Sequence, residues 1–570
     1  RSDRDWSSDV CSSDLFFGFI GGVIAIALWG SRRGGASEEG YFLAGRSLVW
    51  PLIGFSLIAS NINSEHFVGM AGTAFREGGP GLAIGSYEWM SAITLVIVAW
   101  FFLPRFLSAG IYTMPQFLEY RYDTATRSIM AGYCMVAYVI VLLATVLFSG
   151  AIALCNILEL PQMLMSHFGM DEATARSVAM NGCIWLLGIV GGAYTAYGGL
   201  GAVVWADLIL GTALLVGAGI TGFFCLREIG QGSLIEGWHN FTVTSADKLH
   251  MIRPWNDPDV PWLAVFIGGL WIPNIFYWGL NQFITQRTLA AKNLAEGQKG
   301  ILLAAVMKLT IPFLIVMPGI MAYQIYGNVL ERPEAAYPHL MKTILPVGFK
   351  GLMFAALAGS IMGAATAGLN SAATIFTIDF YSKFINPKLS SRGEARVGRI
   401  STAVLVVIAC IWAPIINFFP GVFPYIQEIW GFISPGIVAA FLGGVAFKYA
   451  PVAAGKGALI LGPILYGCIR VPGWVIKAMY LVPGTKDVVQ PPEGIISSVY
   501  EFCGKTSFLH HMFIVFLLLF AFMGLVARLK PMAKPVTMPR SEVDVTPDPK
   551  VYWLGALVIA LTVALYIIWR

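Results

Sequence analysis

Most of this chain is written in apolar runs of a length that only a bilayer can accommodate. A helix needs about 20 consecutive apolar residues to cross the hydrocarbon core. The clearest windows are 80–103, 129–155, 178–199, 202–225, 301–325, 351–377, 400–417, 431–447, 508–527 and 551–569. Adding 15–30, 47–70, 260–285 and 452–470 predicts an all-α integral membrane protein of about fourteen transmembrane helices. Charged residues make up only 12% of the 570 and apolar residues 57%, which excludes a string of soluble modules.

The net charge of +5 reads as topology, not as nucleic-acid binding. Basic residues gather in alternate loops, among them Arg32 and Arg33, Arg121 and Arg127, Arg287 and Lys292, and Lys383 to Arg399. The positive-inside rule makes these loops cytoplasmic and puts both termini outside. No CxxC occurs among the cysteines, which argues against a zinc or redox site. Residues 1–14 (RSDRDWSSDVCSSD) lack periodicity and read as a translated sequencing-adapter remnant, with the true start upstream of Leu15. Residues 15–46 then form an extra helix and loop, 47–447 a ten-helix core, and 448–570 three further helices with their loops. Segments 226–259 and 471–506 read as external loops, and 528–549 as a charged cytoplasmic linker.

Two spans are interrupted. The first breaks at Ser60-Asn61-Ile62-Asn63-Ser64-Glu65-His66, a polar run at mid-span that would be very costly against lipid. The second, 260–285, breaks at Gly268-Gly269, Pro273-Asn274 and Gly279-Leu280-Asn281. Counted from the 47–70 helix, these are the first and sixth of the core. Interrupted segments in corresponding positions predict a five-plus-five inverted repeat with a solute site at the midplane.

Lone charges inside spans single out Glu88 and Lys308. For Glu88 the structural alternative is a hydrogen bond to a neighbouring helix, and for Lys308 it is snorkelling to the interface. Together with Asn61 and Gln427, and flanked by Tyr87, Tyr277 and Trp278, they form a set suited to a polyhydroxylated solute. Hydroxyls take directional hydrogen bonds while the C–H face of the ring stacks on aromatics. Asp207 reads as a buried acid near a helix start that either holds a cation or caps the helix. His66 sits beside the first break, with solute contact and a structural role both open. Asn370 and Asp379 read as packing and helix-end residues. No catalytic constellation, metal cluster or phosphate loop is present in the sequence, so an enzyme is not expected.

At these residues the chain resembles the sodium/solute symporter family, specifically its sugar branch of sodium–glucose and sodium–galactose cotransporters. The resemblance runs from YFLAGRSL at Tyr41 through SLIASNINSEHFVGMAGTA, SYEWMSAITL, YTMPQFLEYRY, TAYGGLGAVVWADLI, FYWGLNQFITQRTLAAK and LNSAATIFTIDFY to YIQEIWGFISPGI at Tyr425. It implies a LeuT-like fold, alternating access, a sugar and sodium as cargo, no cofactor, and a multi-pass protein of the cell (inner) membrane that works as a monomer in the lipid bilayer without nucleic-acid partners. It implies sugar contacts from Asn61, His66, Glu88, Ser91, Asn274, Tyr277, Trp278, Lys308 and Gln427, with Tyr277 as inner gate. Met70, Tyr87 and Phe423 correspond to the outer gate, and Leu142 stands where the bacterial galactose pattern has an Asn.

The implied sodium site takes carbonyls of Ala59 and Ile62 and, from the eighth helix, a carbonyl and two serine hydroxyls in a pattern like A-I-V-S-S. Here that segment reads Ser360-Ile361-Met362-Gly363-Ala364, so both hydroxyls are missing. Thr366 and Asp207 match parts of a second cation site. The alternatives that follow are a sodium-independent or proton-coupled sugar carrier of the same fold, with Glu88, Asp207 or His66 as proton carrier, and a sugar sensor that transports little.

Overall fold

A computed structural model describes residues 18, 21–23, 25–26, 43–327, 330, 333–418, 422–481 and 489–570, without the side chains of 156–157, 194, 197–199, 201–202, 347, 417–418 and 422–424. The 1–14 segment and most of the 15–46 segment therefore lie outside the described residues. The described secondary structure is helical, with two isolated bridges and no sheet.

Twelve described helices are long and apolar enough to cross a membrane. With the shorter first core helix they are α1 (Trp50–Asn61), α2 (Gly81–Ala109), α3 (Thr124–Cys155), α4 (Glu172–Ala193), α5 (Val203–Ile229), α6 (Trp262–Leu280), α7 (Leu294–Tyr326), α8 (Gly348–Ile385), α9 (Ser391–Ile416), α10 (Tyr425–Ala446), α11 (Val452–Met479), α12 (Phe508–Leu529) and α13 (Lys550–Ile568). The expected fourteen is not established, because the window 15–30 is described only in part. Two expected loops contain helix. Residues 471–479 continue α11, and Leu234–Thr244 forms a helix inside 226–259. Pro472 does not stop α11, because a neighbouring-helix environment tolerates proline in a membrane helix.

Both predicted interruptions are present, and an asparagine starts the second half at each. In α1 the helix ends where Ile62 turns extended (φ −81°, ψ 107°). Asn63 Oδ1 then accepts the Glu65 N–H at 2.8 Å, and helical backbone resumes over 65–75. In α6 it is Asn281 that turns extended (φ −91°, ψ 120°), and its Oδ1 accepts the Phe283 N–H at 3.1 Å to start Gln282–Leu289. Asparagine suits this position because its short side chain satisfies an N–H that the break orphans. Each break also leaves last-turn carbonyls, Ala59 among them, without a helical donor.

Close backbone approach sets the register of the helices around the first break. A Cβ on Gly54 would lie 2.9 Å from the Gly300 carbonyl, and one on Gly300 would lie 3.0 Å from that of Trp50. Small residues let α1 and α7 touch in this way. About two turns further along both helices, the same contact brings Lys308 to Asn61.

Candidate functional site

The sugar contacts expected from sequence converge on one cavity of about 70 Å³ at the two breaks. Asn61, His66, Glu88, Ser91, Asn274, Tyr277, Trp278, Lys308 and Gln427 all line it, as do Met70 and Tyr87 of the expected outer gate. The third gate residue, Phe423, lies outside the described side chains. Leu142 also lines the cavity, so an apolar surface stands where the galactose pattern has an amide.

The polar groups are wired to one another. Lys308 Nζ donates to Glu88 Oε2 and to Asn61 Oδ1. Its ammonium also sits 4.8 Å from the Trp278 ring centroid. Asn61 Nδ2 donates to the Tyr277 hydroxyl at 3.2 Å, and His66 Nε2 lies 3.3 Å from Glu88 Oε1. On the other wall, Trp278 Nε1 donates to Ser91 Oγ at 2.8 Å, and the one Ser91 O–H faces the Tyr87 carbonyl at 2.6 Å and Asn274 Oδ1 at 3.0 Å. The side chains of Lys308 and Glu88 are 1% and 4% exposed, which rules out snorkelling for Lys308. Charges so buried persist only when paired and hydrogen-bonded. The result is a ring of donors and acceptors with aromatic faces (Tyr277, Trp278, Phe276 and Trp430) and no catalytic geometry among the described residues.

Sequence reasoning missed Glu65, Phe276 and Trp430 as lining residues. Glu65 stood in the quoted polar run, but helix register alone does not say which side of a broken helix faces inward.

The expected cation ligands are placed differently. Asp207 lies deep inside a helix that runs unbroken from Glu172 to Ile229, through α4 and α5, and caps nothing, which corrects its reading as a helix-start residue. Its Oδ2 accepts from Ser56 Oγ at 2.6 Å, Ser60 Oγ at 3.0 Å and Arg287 Nη2 at 3.1 Å. Arg287 therefore is not a cytoplasmic loop base. Its guanidinium is buried, donating also to Ser56 at 2.6 Å, to Ser60, and to the Phe283 carbonyl at 2.7 Å. Arg121 and Arg127 are likewise buried. Asp379, expected only to end a helix, is buried against Arg127 Nε at 2.6 Å. Asn370, read as a packing residue, is indeed buried.

Ala59, Ile62, Ser360 and Ala364 are all buried in the region where α1 and α8 approach α5. The Ser360 hydroxyl donates to its own helix at the Leu357 carbonyl, and that of Thr366 to the Gly363 carbonyl, each at 2.8 Å. A Cβ on Gly363 would lie 3.1 Å from Asp207 Oδ1, which has no hydrogen-bond partner among the described residues. Sodium prefers hard oxygen ligands. The carbonyls, Ser360, Thr366 and Asp207 supply some of these, while Gly363 and Ala364 add no side-chain oxygen.

On the cytoplasmic side expected from the basic loops, Glu119 joins the helix Met114–Arg121 to α3 and α8 through Arg127 and through Lys383 at 2.7 Å. Burial pushes the Glu119 carboxyl up, but hydrogen bonds from Lys383, Thr124 and Arg127 outweigh it and hold the group at about 2.

A family model described as the sodium:solute symporter family matches residues 41–462. A sodium/glucose cotransporter of Vibrio parahaemolyticus is 41% identical over 472 residues, covering 78% of this chain and 82% of the relative. A sodium/myo-inositol cotransporter of Bos taurus is 32% identical over 482 residues, covering 78% and 64%. Among solved structures, a Na+-coupled sialic acid symporter in a substrate-bound outward-open state superposes with a TM-score of 0.68 at 18% identity, covering 93% of this chain and 99% of that one. At that identity the likeness speaks for the fold alone, and it is the LeuT-like symporter fold that the family resemblance implied. Members of the matched family are transporters, not enzymes, and the match spans α1 to α10, so the chain belongs to the sodium:solute symporter family.

Proposed function

We propose that this protein imports a sugar, a hexose or an inositol-like solute, by alternating access, with a sodium gradient as the driving force. The observation that carries the reading is the cavity at the two helix breaks. It pairs Lys308, Glu88, Asn61, His66 and Gln427 with the faces of Tyr277 and Trp278. The solute's hydroxyls would exchange with the internal bonds between Asn61 and Tyr277 and between His66 and Glu88, both over 3 Å long at 3.2 and 3.3 Å. Such exchange costs little, because each donor trades one acceptor for another. Ion binding would favour the outward-open state, and solute would close Met70 and Tyr87 over the site. The names of the glucose and myo-inositol relatives support this solute class. The protein is proposed to sit in the cell (inner) membrane and to work as a monomer.

A second reading has its own observation. Gly363 and Ala364 offer no hydroxyl, and Asp207 Oδ2 is already engaged by Arg287. This favours a carrier of the same fold coupled to protons or to nothing. Uptake of radiolabelled D-glucose, D-galactose and myo-inositol into proteoliposomes under sodium, potassium or proton gradients tests both. Accumulation that requires sodium supports the first reading. Uptake indifferent to sodium refutes it in favour of the second, and saturable binding without accumulation or exchange refutes both in favour of a sensor.

A further inference from the structure

Helix α10 presents two faces, and they do different work. Ile426, Gln427 and Trp430 line the solute cavity. Glu428, Gly431 and Phe432 face α11. A Cβ on Gly431 would lie 2.4 Å from the Tyr466 hydroxyl, and Phe432 packs edge-on against Tyr466 at 5.0 Å and beside Trp474 at 5.9 Å. Deeper along the pair, a Cβ on Gly436 would lie 2.9 Å from the Ala458 carbonyl. The two helices are thus locked from Gly436 to Gly431. Beyond Gly431, toward the start of α10, the tie is polar. Glu428 Oε1 accepts from Arg470 Nη2 at 2.7 Å, and Oε2 accepts from Trp474 Nε1 at 2.8 Å. Arg470 is itself held, its Nη1 donating to the Cys503 carbonyl at 2.9 Å in the short segment Glu501–Lys505. A Cβ on Gly473 would lie 2.5 Å from that same carbonyl, so α11 and this segment also touch.

Neighbouring residues on a helix project about 100° apart. A carboxylate gripped by two donors on α11 therefore sets the direction in which the adjacent Gln427 side chain leaves the helix. Gln427 forms no hydrogen bond with a described residue. We propose that Glu428 is a positioning residue for Gln427. Clamped by Arg470 and Trp474, it fixes the rotation of the first turns of α10, and it makes α11 and the Glu501–Lys505 segment, both outside the ten-helix core, part of the solute-binding machinery. This rests on the assignment of Gln427 as a sugar contact.

The test is a double-mutant cycle on the full chain in proteoliposomes, using whichever of radiolabelled D-glucose, D-galactose or myo-inositol is taken up best. Glu428→Ala is expected to raise KM about tenfold with Vmax per folded protein within about twofold of wild type. Glu428→Gln keeps an acceptor for only one of the two donors and turns an NH2 toward the other, so its KM should fall between those of the wild type and Glu428→Ala. Trp474→Phe removes one donor but keeps a ring beside Phe432, and should shift KM less than Glu428→Ala and in the same direction. In a Gln427→Ala background the Glu428→Ala shift should shrink to under about twofold. A full, additive shift in that background overturns the positioning role alone. An unchanged KM for Gln427→Ala overturns the sugar assignment of Gln427 and the inference with it.

Discussion

Replacing Lys308 with methionine separates the two roles its buried ammonium could play. The side chain is 1% exposed and its partner Glu88 4%. Methionine fills nearly the same volume but leaves Glu88 with His66 at 3.3 Å as its remaining side-chain partner among the described residues. Removing one member of a buried pair costs about 3–5 kcal/mol, because the other charge stays uncompensated. Loss of a charged hydrogen bond to solute costs about 1.5–3 kcal/mol, a tenfold to hundredfold loss of affinity. The first cost falls on folding and the second on solute binding. Lys308→Met should therefore lower the melting temperature of the detergent-purified protein and raise the KM for uptake. The double variant Lys308→Met/Glu88→Gln removes both charges. It should recover most of the melting temperature, since replacing a whole buried pair is often neutral, while the KM stays at least as poor. A double variant whose KM returns to the wild-type value refutes this reasoning, because the pair would then be scaffold and not solute contact.

Three further outcomes follow from named contacts. Ser91→Ala removes the acceptor of Trp278 Nε1 and the O–H facing Asn274 Oδ1, and should raise KM about fivefold, worth about 1 kcal/mol; an unchanged KM removes Ser91 from the site. The variant Gly363→Ser/Ala364→Ser adds two hydroxyls to α8, the first at a Cβ position 3.1 Å from Asp207 Oδ1 that a small shift accommodates. Half-maximal uptake should then need less sodium, and an unaltered sodium titration would count against an ion at this place. Glu119 is held at about 2, below its ordinary 4.5, so its contribution to stability is present above pH 4.5 and is lost as pH falls toward 2. Melting temperature measured from pH 6 to 3 should fall more steeply for the wild type than for Glu119→Gln, and equal slopes would refute the assignment.

The membrane class, the interrupted first and sixth core helices and most lining residues were legible in the sequence. Apolar run length is set by bilayer thickness, and a polar run at mid-span is tolerated only beside a cavity. Asn63 and Asn281 were visible as residues at breaks, and their capping of the second halves is a local property of the chain. The resemblance then carried Lys308, Glu88 and Gln427 to one site, and the cavity contains all three.

Partnership was beyond the sequence. Arg287 and Asp207 are 80 residues apart in the chain, and Arg470 and Glu428 are 42 apart. Arg287 looked like one more base of a cytoplasmic loop, because its spacing from Lys292 matches that of a loop cluster. Only the packing of α1, α5 and α6 buries it and turns a topology signal into an internal ion pair. The same holds for Glu428, whose neighbour Gln427 carried the family pattern. Which face of α10 meets α11 is decided by the close approach at Gly431 and Gly436, a tertiary fact that composition and periodicity do not encode. The sequence by itself determined that there is a site and where the chain breaks to form it. The tertiary structure alone decided which charges neutralise one another around it, because pairing depends on through-space distance between helices and not on order along the chain.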